Sequence, residues 1–486
     1  MLFNSQIFLF YFLPVVLIFF YVIKKTKFKI EILFLSIASL IFYSWNDPKW
    51  LLLLTFSIVT NFYLSHWIYQ KITKLKLFIG VCFNIILIAW FKYRYFFLGT
   101  FLDNYNYADF IIPLAISFFT FQQISFLVDI YDKRNKPLLF LEHVYYVSFF
   151  PQLIAGPIVL AQEMVPQIKN VYKKNKINGY FVIGVFVFFV GLFKKVFLAD
   201  NIAPYVIVGF NNIYNSLTFP EAWALISGFA LQLYFDFSGY SEMAVGLGLM
   251  FGFRLPVNFN TPFKALSMID FWKRWHITVT KFFMLYLYAP FSLFLNRISK
   301  LNYSYNLMFL IIFPTMVTFF VSGLWHGADW KFIYFGLVNG LCLIINHLWK
   351  IYKMPKIPSL FAWFLTMVGV LVSFVFFRAD NTSEALKLLS IMFNPFLIEI
   401  PSWMAFLFSD YNASYSILSF FSSGTFTLKF LIIIFISFIL SLKIPNVADK
   451  NFKIINNWKN SFVLAILILL SLSNLENEVS FIYFQF

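Results

Sequence analysis

Residues 361–377 read FAWFLTMVGVLVSFVFF, a run with no charged residue and no proline. A helix needs about 20 mostly apolar residues to cross the hydrocarbon core of a bilayer, and this run comes close to that length unaided. Comparable, mostly apolar runs recur at 7–23, 75–102, 181–197, 306–324 and 428–442. The runs are continuously apolar, whereas strands of a membrane barrel would alternate apolar and polar residues over about 10 positions. The expectation is an all-α, polytopic transmembrane protein with about 11 spans and shorter re-entrant helices around a central active-site cavity.

Composition points the same way. Of 486 residues, 61% are hydrophobic and 12% charged. Ordinary soluble domains carry roughly 45–50% apolar and about 25% charged residues, so the surplus apolar surface calls for lipid. The run at 7–23 has no basic segment before it and no small-residue cleavage site after it, so it reads as a retained first span rather than a signal peptide.

Lys and Arg number 37 against 21 Asp and Glu, a net charge of +16. In a soluble protein that balance would suggest nucleic acid. Here the basic residues gather between apolar runs, as cytoplasmic loops do: Lys24, Lys25, Lys27 and Lys29; Lys71, Lys74 and Lys76; Lys133, Arg134 and Lys136; Lys169, Lys173, Lys174 and Lys176; Lys443, Lys450, Lys453 and Lys459. No nucleic-acid partner is expected; the partner is the lipid bilayer. The first group places the N-terminus outside, and the last makes 461–473 an outbound final span. Residues 1–473 then form one membrane domain, and 474–486 an extracytoplasmic tail that ends in FIYFQF. Cys82 and Cys342 each lie inside apolar sequence and suggest neither a disulfide framework nor a metal site.

Polar residues that look out of place concentrate between 149 and 330, where chemistry is to be sought. SGLWHGADW places His326 at the end of an apolar run, between Gly323 and Gly327, with Trp325 beside it and Asp329 three residues on. Imidazole titrates at about pH 6.5 in water, and a neutral imidazole held out of bulk water can take a proton from a hydroxyl. The glycines allow close approach of a backbone or a thin substrate. The competing reading is a histidine hydrogen-bonded for packing.

DFWKRWHITVT sets Trp272 and His276 four apart, and likewise Asp270 and Arg274, which predicts shared helical faces. These residues line a wet cavity, or else Lys273 and Arg274 sit at the interface with Trp272 and Trp275 as belt anchors. LQLYFDFSGYSEMAVGLGLMFG interrupts apolar sequence with Gln232, Asp236, Ser238, Tyr240, Ser241 and Glu242. Asp236 could orient an imidazole or tie two helices together, and Gly246, Gly248 and Gly252 favour close helix packing. PQLIAGP, with Pro151 and Pro157 flanking Gly156, predicts a broken or re-entrant helix. His66, His143 and His347 read as structural, and no HxxxH or CxxC spacing supports zinc.

Several of these segments stand in an order that resembles the membrane-bound O-acyltransferase family, in particular its bacterial branch acting on cell-envelope polysaccharides such as peptidoglycan and alginate. They are SFFTFQQISFLVDIY from Ser117, FFPQLIAGPI from Phe149, KKVFLADNIAP from Lys194, QLYFDFSGYSEMAVGLG from Gln232, NFNTPF from Asn258, FWKRWH from Phe271, SGLWHG from Ser322 and FFRA from Phe376. Glu242 stands where aspartate is common and Lys273 where arginine is common; both preserve charge. The resemblance puts the family's two active-site histidines on His326 and His276, with Asp236, Trp325 and Gln232 as supporting residues.

The tail FIYFQF also resembles a C-terminal signature in which a tyrosine is implicated as a transient acyl carrier, a match that falls on Tyr483. A phenol, with a pKa of about 10, surrenders its proton to a histidine more readily than a sugar hydroxyl does. The alternative is an aromatic tail resting at the membrane surface. The resemblance further implies a multi-pass protein of the bacterial inner membrane, acetyl-CoA as donor with no bound cofactor, and a secreted or periplasmic serine O-acetyltransferase as partner. Alginate or another exopolysaccharide remains an alternative acceptor to peptidoglycan. So do a transporter or flippase that binds substrate with its histidines, and a scaffold that recruits the true transferase.

Overall fold

A computed structural model describes residues 1–23, 28–45, 47–94, 96, 98, 113–170, 177–211, 213, 217–299, 307–396, 428–444, 458–475 and 481–482. Helices dominate these residues and no strand occurs among them. Seven of the described helices are long and apolar enough to cross a membrane: α1 (Lys49–Gln70), α2 (Lys74–Tyr93), α3 (Tyr180–Asn211), α5 (Ile277–Ile298), α6 (Met308–His326), α7 (Trp330–Ile351) and α8 (Ser359–Arg378). Shorter apolar helices occupy Phe8–Ile23, Ile30–Ser44 and Trp458–Leu472. Large apolar side chains such as Leu52, Phe78, Leu360 and Phe435 are exposed, as expected of surfaces that meet lipid tails rather than water.

The centre belongs to a helix of another kind. α4 (Phe219–Met250) runs 32 residues, about 48 Å at 1.5 Å per residue. A capping box starts it: the Glu221 carboxylate accepts from the Thr218 amide (2.9 Å) and hydroxyl (3.0 Å). From Gly228 to Met250 every residue is buried. This is why a helix carrying Gln232, Asp236, Ser238 and Glu242 is tolerated at membrane depth: it faces protein on all sides, so its polar atoms never meet lipid.

Glycine allows that enclosure. A Cβ at Gly184 of α3 would lie 2.6 Å from the carbonyl oxygen of Gly246, and one at Gly191 would lie 2.5 Å from that of Gly239. Side chains there would force α3 and α4 apart. Gly248 instead abuts the returning chain, 2.9 Å from the Phe253 carbonyl, and Gly252 takes the left-handed conformation (φ 85°) that turns the chain at the end of α4.

The break predicted at PQLIAGP is present. A helix of four residues, Phe150–Leu153, gives way to an irregular stretch that is buried throughout 154–160. Its backbone is satisfied by the core: the Ile158 amide donates to Thr278 Oγ1 (3.1 Å) and the Tyr146 hydroxyl to the Val159 carbonyl (3.2 Å). The broken segment is thereby tied to the start of α5, where the candidate site begins.

Candidate active site

His326 is the last residue of α6 and is buried. Two devices hold it. The α6–α7 hairpin is drawn together by glycine, since a Cβ at Gly323 would sit 2.2 Å from the Phe332 carbonyl oxygen and one at Gly336 would sit 2.1 Å from that of Phe319. The close approach foreseen from Gly323 is therefore made by a neighbouring backbone. The exposed carbonyls at the end of α6 are met by α2: Lys92 Nζ donates to the Trp325 carbonyl (2.5 Å) and the His326 carbonyl (3.3 Å), and the Tyr93 hydroxyl to the Leu324 carbonyl (2.8 Å). A cation at a helix C-terminus meets both the orphaned acceptors and the negative end of the helix dipole. Asp329, three residues on, caps α7 by accepting from the Lys331 amide at 3.0 Å.

His276 is held differently, and here the structure departs from the helical face expected for Trp272 and His276. The helix Met268–Trp272 ends at Trp272, and His276 adopts φ 45° just before α5. Asn258 imposes the break. Its carbonyl oxygen accepts from the Ile277 amide (2.8 Å), while Oδ1 accepts from the Thr278 amide (3.2 Å), the Thr278 hydroxyl (2.9 Å) and His276 Nδ1 (3.1 Å). An amide oxygen can only accept, so Nδ1 carries the hydrogen and the lone pair of the neutral ring is on Nε2. Asp270 and Arg274 do pair, at 2.9 Å. Trp272 and Trp275 are buried rather than serving as belt anchors; Trp275 stacks on Phe271 with ring centroids 5.6 Å apart.

The two histidines face a common space. A cavity of about 280 Å³ is lined by both of them together with Trp272, Lys273, Ser322 and His347. Between the rings stands Trp325, 4.7 Å from His326 and 5.9 Å from His276 between centroids, and stacked on Phe121. Phe335 and Phe377 also pack edge-on against His326, with ring centroids 5.4 and 5.2 Å away. The volume lies just below the range of about 300–1,000 Å³ usual for small-molecule sites, a size for a slender stem and a small acyl group rather than a polymer.

Of the supporting residues, Trp325 is in place, and Gln232 is buried on α4 one turn before Asp236. Asp236 ties helices together: its Oδ1 lies 2.7 Å from Lys195 Nζ of α3, and its Oδ2 accepts the Ile482 amide at 2.9 Å. The imidazole-orienting role falls to Asn258. Tyr483 lies outside the described residues, but its neighbours Phe481 and Ile482 are buried, so this part of the tail does not rest on the membrane surface. Phe481 packs on Tyr240 (4.8 Å) and Phe237 (6.1 Å), and Phe237 abuts His276 (4.6 Å).

Sequence reasoning did not single out Asn258 or Lys92 as site residues; His347, read as structural, lines the cavity. A lysine deep within the apolar run 75–102, sixteen residues past Lys76, was the available signal for Lys92. His66 and His143 behave as read: His66 Nδ1 lies 3.0 Å from the Phe62 carbonyl, and His143 Nε2 lies 3.2 Å from Gln123 Oε1. Among the described residues no group of three or more His, Cys, Asp and Glu could hold a metal ion.

Residues 134–377 match the membrane-bound O-acyltransferase family. The chain is 40% identical over 434 residues to a peptidoglycan O-acetyltransferase of Helicobacter pylori, covering 80% of this chain and 79% of that one. It is 34% identical over 413 residues to "Probable alginate O-acetylase AlgI" of Pseudomonas aeruginosa, covering 81% and 75%. A teichoic acid D-alanyltransferase of Bacillus subtilis is 27% identical over 278 residues, 54% of this chain and 66% of that protein. Multi-pass helical architecture, a histidine-lined chamber within it and this pattern of relatives agree: the chain is an acyltransferase enzyme and belongs to the membrane-bound O-acyltransferase family.

Proposed function

We propose that the protein moves acetyl groups from cytoplasmic acetyl-CoA across the bacterial inner membrane for O-acetylation of a cell-envelope polysaccharide, peptidoglycan. The observation that carries this reading is convergence: His276 and His326 line one cavity, and the buried tail residue Phe481 stands one ring, Phe237, away from His276. A membrane chamber too small for a polymer suits a relay through a small carrier, and the Helicobacter pylori relative named for peptidoglycan supports that acceptor.

In the proposed step His326 takes the phenolic proton of Tyr483 as the phenolic oxygen attacks the thioester carbonyl. The new C–O bond forms, the C–S bond breaks, and the departing thiolate recovers the proton from the imidazolium. The acetyl ester on the tail is then available on the outer face, the side this reading assigns to the tail, to a secreted or periplasmic serine O-acetyltransferase. His276, its tautomer set by Asn258, presents a second proton acceptor.

The test uses purified protein in nanodiscs with radiolabelled acetyl-CoA. Wild type acquires protein-bound label, and His326→Ala and Tyr483→Phe do not. Undiminished labelling of folded His326→Ala would remove the base, and unchanged labelling of Tyr483→Phe would remove the carrier.

A further inference from the structure

The tail's entry point coincides with a buried ionic cluster that the acyl-transfer step does not use. Lys194 and Lys195 lie on a π-helical turn, Lys194–Ala199, within α3. Lys194 Nζ meets Glu242 Oε1 at 2.6 Å, and Lys195 Nζ meets both Asp200 Oδ1 and Asp236 Oδ1 at 2.7 Å. Gly191 and Gly239 bring the two helices into backbone contact beside the cluster, so these side chains pair away from water. Buried ion pairs are poor stabilisers, because desolvation consumes most of what the attraction returns. The arrangement nevertheless offers a fixed, charged acceptor: with Oδ1 of Asp236 engaged by Lys195, Oδ2 takes the main-chain N–H of Ile482, 246 residues away in sequence.

We infer that Asp236, held by Lys195 and Asp200, is a latch that recognises the main chain of the C-terminal tail and sets its register. Charge-assisted bonds to a backbone N–H are stronger and more directional than neutral ones, and they ignore the side chain. Anchoring comes separately from Phe481 between Tyr240 and Phe237. The latch thus fixes the residue immediately before Tyr483 through its main chain, separately from the packing of the buried Ile482 side chain. Asp236 and Lys195 are positioning residues, and their part in transfer rests on the carrier reading above.

Two variants separate the latch from general packing. Ile482→Pro deletes the N–H and leaves the cluster whole; Ile482→Val keeps the N–H and nearly all of the buried side chain. Ile482→Pro is expected to lower acyl transfer about tenfold or more with the donor KM unchanged, the cost of a lost charged hydrogen bond, and Ile482→Val, which keeps the N–H and most of the buried side chain, to lose much less. Hydrogen–deuterium exchange on the full chain reads docking without chemistry. Asp236→Asn should speed exchange of the tail peptide about tenfold while α4 peptides stay protected. Wild-type tail protection in Asp236→Asn, or equal activity of the proline and valine variants, overturns the latch. If Tyr483→Phe keeps full activity the carrier reading falls, yet the exchange measurement still decides whether Asp236 holds the tail.

Discussion

The two histidines of the chamber are the same side chain presented by two opposite constructions. His326 ends a regular helix and is steadied through its carbonyls, by glycine contacts to α7 and by Lys92 from α2. His276 sits where regular structure fails, in a left-handed conformation that one asparagine side chain and its backbone maintain. The first construction places a ring by stacking rigid elements; the second places a ring and also sets its tautomer. A base that must accept and return a proton needs fixed position above all, and a companion needs a defined hydrogen-bonding polarity. The division of labour predicts that damage to the two sides differs in size and kind.

The largest effect belongs to His326→Ala, which removes the proposed proton acceptor. Transfer should fall about 10²–10⁴-fold, the range general acid–base groups contribute, with protein level and donor affinity maintained. His276→Ala should cost less, and a loss equal to that of His326→Ala would show that the two rings act as one unit and erase the distinction drawn here.

Next comes the helix end. Lys92→Met leaves the Trp325 and His326 carbonyls without their charged donor, and kcat should fall about tenfold, in keeping with a charged hydrogen bond worth about 1.5–3 kcal/mol. Lys92→Arg, which can reach the same carbonyls, should recover part of it. If Lys92→Met behaves as wild type, glycine packing alone positions His326.

Asn258→Ala attacks the other construction. Three donors, from His276, the Thr278 amide and the Thr278 hydroxyl, lose their acceptor together. Unsatisfied buried groups cost about 1–3 kcal/mol each when nothing replaces the partner, a cost that should fall mainly on thermal stability, with kcat lowered severalfold. Asn258→Asp keeps the acceptor oxygen and should outperform the alanine variant in both measurements.

How much of this was legible in the sequence follows from the range of the forces involved. Four of the seven long apolar helices, α2, α3, α6 and α8, were readable because each declares itself within its own run; 361–377 contains everything that makes α8 a span, whereas α1, α5 and α7 carry more polar residues and matched none of the runs named from sequence. The glycines of SGLWHG announced a close approach, since only a missing Cβ allows one. The break before His276 was not legible: Trp272 and His276 carry the four-residue spacing of a helical face, and only Asn258, folded back from another segment, decides against it. Asp236 left two roles open because its deciding partner, the Ile482 amide, lies 246 residues away. Lys92 escaped notice because a lysine near the end of a span reads as a snorkelling anchor, with the apolar stem in lipid and the ammonium in headgroups, until α6 is seen to end against it.

The smallest expected effect tests the rim of the chamber. His347 lines the cavity from α7, partly exposed, with Lys273 on the same wall and no main-chain feature of His326 or His276 depending on it. It therefore belongs to neither construction. His347→Gln, which preserves hydrogen-bonding capacity and much of the volume, should leave kcat within about twofold, the scale of a surface change of up to 0.5 kcal/mol. If it acts at all, it should do so through the donor KM, because a group on the wall of the entry space touches the incoming molecule before the acyl carbon reaches the histidines. A fall in kcat as deep as that of Asn258→Ala would place a third imidazole in the chemistry, and the contrast between a clamped helix end and a tied break would no longer describe the whole site.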